Sequence, residues 1–155
     1  MGRKNNSRKK NKQRGADGKL YKGTLDITRS GMGFVIVPNQ ETDILIRPAD
    51  FNTAMHGDTV LVKVKPGGGR RQQGEVVEVM DRKRVEFIGQ LQVSENFAFF
   101  VAESDKPMPD LFIPLKQLNN AKDGDRVVAR LVKWDNKDKR PVGEVISILD
   151  AENSN

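Results

Sequence analysis

The chain has no cysteine, and one histidine, one tryptophan and one tyrosine among its 155 residues. Without cysteine there is no disulfide framework and no thiolate metal site, which suits a reducing compartment. We therefore expect a cytoplasmic protein. A lone His56 offers neither a nucleophilic triad nor a ligand set. It reads as a turn residue holding a local hydrogen bond. No apolar run approaches the roughly 20 residues a membrane helix needs. The N-terminus is basic but lacks the apolar stretch of a signal peptide, so no membrane partner is expected.

What the chain does have is charge, unevenly placed. Residues 1–22 hold nine Lys or Arg against the single acid Asp17, a net of +8. The remaining residues hold 18 basic and 20 acidic groups, a net of −2. The high isoelectric point thus belongs to a tail with almost no apolar residues. Such a segment buries too little surface to offset its ordering entropy. Residues 1–21 are expected to be a disordered basic tail with affinity for nucleic-acid phosphates, the plainer reading being a solvated linker.

The body repeats itself. Gly23-Thr-Leu is matched by Gly89-Gln-Leu, Phe34-Val35 by Phe100-Val101, and Asp43-Ile-Leu-Ile by Asp110-Leu-Phe-Ile. Gly57-Asp58 is matched by Gly124-Asp125, and Gly74-Glu-Val by Gly143-Glu-Val. Five landmarks in one order mean two copies of a domain, at 22–82 and 88–150, rather than a solenoid. In the first copy, strands are expected near 22–29, 32–38, 43–48, 59–65 and 74–81. The alternation of Val60, Val62 and Val64 with Leu61, Lys63 and Lys65 is that of a half-buried strand. A turn with one helical turn fills "PADFNTAMHGD", and the Gly-Asp pairs are tight entries into the fourth strand. Five strands in about 60 residues, with a longer link after the third, suit a small Greek-key barrel of the OB type. The fold class is therefore all-β, with two tandem five-stranded barrels.

On those barrels, "GMGFVIV" resembles the first nucleic-acid-binding motif of cold-shock domains, and "DILIRP" resembles the second. With "AMHGDTVLVKV", "GEVVEVM" and "PVGEVISIL", the body looks like the tandem cold-shock domains of the ribonuclease II and ribonuclease R exoribonucleases, over about 130 residues. The basic tail favours ribonuclease R. The resemblance implies a parent whose catalytic domain, dependent on clustered aspartates and a divalent metal such as magnesium, follows these barrels. Here the acids are scattered singly, as at Asp43, Asp50, Asp58 and Asp81. The chain itself is expected to carry no catalytic site and no cofactor.

Single-stranded RNA is held by stacking platforms in a positive groove. Carried across from the cold-shock pattern, Met32 and Phe34 share one face of their strand, with Leu45 and Arg47 at the matching places on the next. Phe34 either stacks on a base or packs in the core. Family members place aromatics where Met32 and Leu45 stand, so the first barrel is reduced. In the second copy Phe100 aligns with Phe34 and Phe112 with Leu45, and this pattern alone leaves both open between core and platform. Phe97 and Phe99 are expected to turn inward or into an interdomain contact. The loop "KPGGGRR", with Arg70 and Arg71, lacks the ending and helix of a P-loop. It and its counterpart, with Lys137, Lys139 and Arg140, offer phosphate contact or merely solvated charge. Arg29 completes the expected RNA contacts, and Trp134 reads as a rim residue.

The reading these features favour is a single-stranded RNA-binding module of a 3′-to-5′ exoribonuclease, acting as a monomer and reaching ribosomal or structured RNA through its tail. An independent RNA chaperone, or a protein-interaction module, are the alternatives.

Overall fold

The computed structural model describes residues 18–67, 69 and 71–150, without the side chain of Asp150. The stretch 1–17, most of the expected disordered tail, lies outside the described residues, as does Arg70. Backbone contacts divide the chain after Arg82 into two units.

In the first unit the strands are β1 (Leu20–Ile27), β2 (Gly33–Ile36), β3 (Ile44–Ile46), β4 (Thr59–Val64) and β5 (Gln73–Asp81). They close a barrel in the order β1-β2-β3-β5-β4. Only the β3–β5 pairing is parallel; the others are antiparallel. Alternation explains the closure. Leu25 and Ile27, Val35, Ile44 and Ile46, Val60, Val62 and Val64, and Val76 all point inward and form one core. Leu20 and Tyr21, assigned to the tail, belong to the barrel instead. Gly18 N–H donates to the Val64 carbonyl at 2.8 Å, Val64 N–H donates to the Lys19 carbonyl at 3.0 Å, and Tyr21 packs against the core. The tyrosine's apolar body and two ladder bonds outweigh the polarity of its neighbours.

The second unit repeats the plan with β6 (Glu86–Val93), β7 (Ala98–Ala102), β8 (Leu111–Ile113), β9 (Arg126–Lys133) and β10 (Val142–Asp150), again a closed barrel. β6 starts two residues before the expected boundary at 88, because Phe87 is already a core residue.

In each barrel a short 3-10 turn lies between the third and fourth strands, Pro48–Asp50 in one and Leu115–Gln117 in the other. The turns lead to a shared device. Asn52 and Asn119 take left-handed backbone angles, φ 57° and 49°, a region Asn tolerates better than most residues. Their side-chain amides donate to the carbonyls of Val76 and Val145. The Gly-Asp entries follow. Gly57 and Gly124 have φ of 90° and 87° and donate to the carbonyls of Leu25 and Leu91. Asp58 is 1% exposed and Asp125 4%; each accepts a backbone N–H at 2.8 Å, from Met55 and Lys122. The pattern Asn-x-Ala-x-x-Gly-Asp, at 52–58 and 119–125, was in the sequence all along. Asp58 also pairs with Arg82 at 2.8 Å, and Arg82 donates to the Thr53 carbonyl at 2.7 Å.

Candidate nucleic-acid interface

The two glycines beside Phe34 have different jobs. Gly31 has φ of 101° and turns the chain from β1 into β2. Gly33 faces inward, and a Cβ there would lie 2.6 Å from the Phe51 ring and 3.0 Å from Leu25. With Gly33 inside, Phe34 is on the outer face, half-buried. It stands between Asp26 of β1 and Leu45 of β3, and Leu45 in turn neighbours Gln73 of β5. The Arg71 guanidinium lies over the Phe34 ring, 5.4 Å from its centroid. Arg47 is exposed and its Nε donates to the Gln73 side chain at 3.4 Å. Phe34, Leu45, Arg47 and Arg71 are thus brought onto one patch. Met32 lies in the turn before β2, half-buried, its N–H donating to Thr28 Oγ1 at 3.2 Å. Arg29 is exposed in that same turn.

In the second barrel the structure corrects the alignment. Phe100 is fully buried and pairs with Leu91, the counterpart of the Val35–Leu25 pair. It is a core residue and cannot meet a base. Phe99, expected to turn inward, takes the place of Phe34: it lies between Gln92 and Phe112 as Phe34 lies between Asp26 and Leu45. The reason is a turn one residue shorter. Ser94–Phe97 joins β6 to β7, whereas Thr28–Met32 joins β1 to β2. Because side chains alternate, the lost residue shifts every match on that strand by one. Phe97 then falls at the place of Met32.

The consequence is a three-ring cluster on the outer face. Phe97 and Phe99 meet edge to face with centroids 5.3 Å apart, and Phe112 lies 6.3 Å from Phe97 and 6.1 Å from Phe99. All three are half-buried. The Arg140 guanidinium stands over Phe99 at 5.2 Å. Lys137 and Lys139 are exposed on the same loop, where the Lys139 carbonyl accepts the Trp134 indole N–H at 3.0 Å. Arg140 is therefore brought to the rings, while Lys137 and Lys139 are placed on the loop beside them. Aromatic places that the first barrel fills with Met32 and Leu45 are filled here by Phe97 and Phe112.

Two further arginines of the second barrel are held in ion pairs. Arg126 binds Glu103 at 2.8 Å, and Arg130 binds Glu144 at 2.6 Å. The hydrogen bond from Arg126 holds the Glu103 carboxyl below its usual range. His56 Nδ1 accepts the Ile27 N–H at 3.0 Å, a bond to β1 and not the local one within its turn that was expected. Among the described residues no three His, Asp or Glu side chains gather where they could hold a metal ion. Nor is any described helix long and apolar enough to cross a membrane.

Two closed OB barrels in tandem, each with a ring and a guanidinium on the outer face of its second strand, define a chain of the cold-shock class. The family described as "Ribonuclease B OB domain" matches residues 23–79, and "Cold shock domain" matches 99–155. The chain carries the OB and cold-shock domains of a ribonuclease R-like protein. It is 27% identical over 130 residues to ribonuclease R of Thermotoga maritima, a match taking in 84% of this chain and 18% of that protein. The chain therefore spans less than a fifth of that relative's length. Among solved structures, RNase R of Mycoplasma genitalium in complex with ribose-methylated single-stranded RNA overlays with a TM-score of 0.75 at 17% identity, over 85% of this chain and 22% of that one. Yeast Ssd1, a pseudonuclease, gives 0.72 at 20% identity, over 98% of this chain and 25% of that one.

Proposed function

We propose that this chain is the single-stranded RNA-binding part of a 3′-to-5′ exoribonuclease, capturing RNA and guiding it to a catalytic domain that is not among these residues. The observation that carries the reading is the cluster of Phe97, Phe99 and Phe112 beside Arg140. Half-exposed rings next to a cation are what unpaired bases and their phosphates need, and what duplex recognition does not. The RNA-bound neighbour of the same fold and the ribonuclease R relative support it. The second barrel is the main reader, with the first a weaker platform built on Phe34, Leu45, Arg47 and Arg71. Arg29, Met32, Lys137, Lys139 and Arg140 line the approaches, and Arg70 would add charge to the first loop. The protein works in the cytoplasm as a monomer, its tail reaching structured or ribosomal RNA. The parent enzyme supplies the divalent metal.

The test is fluorescence anisotropy with a labelled oligo-uridine, using the full chain and a version beginning at Gly18, across a salt series. Phe99→Ala and Phe112→Ala should each weaken binding by about 1–3 kcal/mol, in both versions. Binding that disappears with the tail, and that neither substitution touches, would sink the proposal in favour of a protein-docking module.

A further inference from the structure

The two guanidinium–ring contacts occupy one place in the repeat. Arg71 stands two residues before β5 and Arg140 two residues before β10. In both barrels that strand begins beside the residue opposite the ring: Gln73 pairs with Leu45, and Val142 with Phe112. The preceding backbone agrees as well, with Leu45 N–H donating to the Gln72 carbonyl and Phe112 N–H to the Pro141 carbonyl. The loops that deliver the two arginines are otherwise unlike, "KPGGGRRQQ" against "WDNKDKRPV". The shared element is the arginine, laid on a half-exposed ring that needs no cation for the barrel to close.

A cation over an exposed aromatic face is worth about 2- to 5-fold in an equilibrium constant. A base on the same face is worth about 5- to 150-fold. The base therefore wins the ring, and it arrives with a phosphate attached. Arginine is suited to receive that phosphate, since its planar fork can donate two parallel hydrogen bonds to it. We propose that Arg71 and Arg140 are displaceable caps: each covers its phenylalanine in the free protein, and on RNA binding yields the ring to a base and moves to the neighbouring phosphate. This rests on the RNA-binding reading and adds to it a defined exchange at two named residues.

The exchange is read on the full chain by NMR of the arginine δ protons together with oligo-uridine titrations. In the free protein the Arg140 δ protons should be shifted upfield by the Phe99 ring, and Phe99→Leu should abolish that shift. Saturation with oligo-uridine should abolish it too. Arg140→Gln should weaken binding at least about 5-fold, and should flatten the slope of log K against log salt by about 0.7, the loss of one phosphate contact to a single strand. Phe99→Leu should weaken binding and leave that slope unchanged. A ring-current shift that persists at saturation, or an Arg140→Gln protein that binds as tightly with the same slope, overturns the cap while leaving RNA binding in place. Failure of the wild-type chain to bind overturns both.

Discussion

Phe51 and Gly33 show how closely single residues are set here. The ring of Phe51 lies 2.6 Å from where a Cβ on residue 33 would be. Gly33→Ala should therefore cost about 1–3 kcal/mol, the usual range for overpacking, read from urea unfolding. The second barrel has Ala98 and Leu118 at the matching places. Phe51→Leu in the same protein should thus recover part of the loss, and the double-mutant cycle should show coupling. Asp58 makes a harsher case. Its buried carboxylate accepts from Met55 N–H and pairs with Arg82. Asp58→Ala removes the carboxylate that both the Arg82 cation and the Met55 amide meet, so we expect a loss of about 3–5 kcal/mol. Glu103 is milder, because it is exposed and screened. Its folded pKa is depressed by Arg126, so the pair's contribution is present above the ordinary carboxylate range and fades as pH falls through the lowered value. Arg126→Gln should move the Glu103 titration midpoint upward in an NMR pH series, and high salt should narrow the difference.

At the scale of elements, β7 separates what alternation says from what residue matching says. Phe99→Ala should lower RNA affinity with little effect on unfolding. Phe100→Ala should cost about 3–5 kcal/mol of stability, as large-to-small changes in a core do. Thermal melts and anisotropy on the two proteins would show opposite patterns. The strands, their order in the repeat and the inward valines of β4 were all legible, because alternation and the Gly-Asp entries survive in both copies. The inward side of β7 was not. Matching Phe34-Val35 to Phe100-Val101 paired identical letters and overlooked the turn, where one residue fewer reverses the parity of the strand. The face of Phe34 was left open between stacking and core, and it is the inward Gly33, crowded by Phe51 and Leu25, that puts the ring outside. The three-ring cluster was hidden by the same parity error, and although Arg71 and Arg140 stood out on their loops, their place above the rings could not be read from strand patterns.

Along the whole chain, the excess positive charge and the ring cluster belong to different segments. Seven of the nine N-terminal cations lie in residues 1–17, while the ring cluster lies in the second barrel. Removing 1–17 should flatten the salt dependence of RNA binding, since fewer counterions are released. The affinity that remains should still fall with Phe99→Ala. Filter binding at two salt concentrations would distinguish attraction by the tail from grip by the barrels.

Arg82 is the last residue of the first unit, and it reaches back to neutralise a carboxylate inside that unit. The edge of the domain is thus written by a charge and not by where the last strand stops. A gene truncated at Asp81 would encode every strand of the first barrel and still omit the counter-ion of its most buried acid. Such a protein should unfold at lower urea than one ending at Arg82. One more codon restores it, and the same codon opens the short basic run that leads to the next barrel.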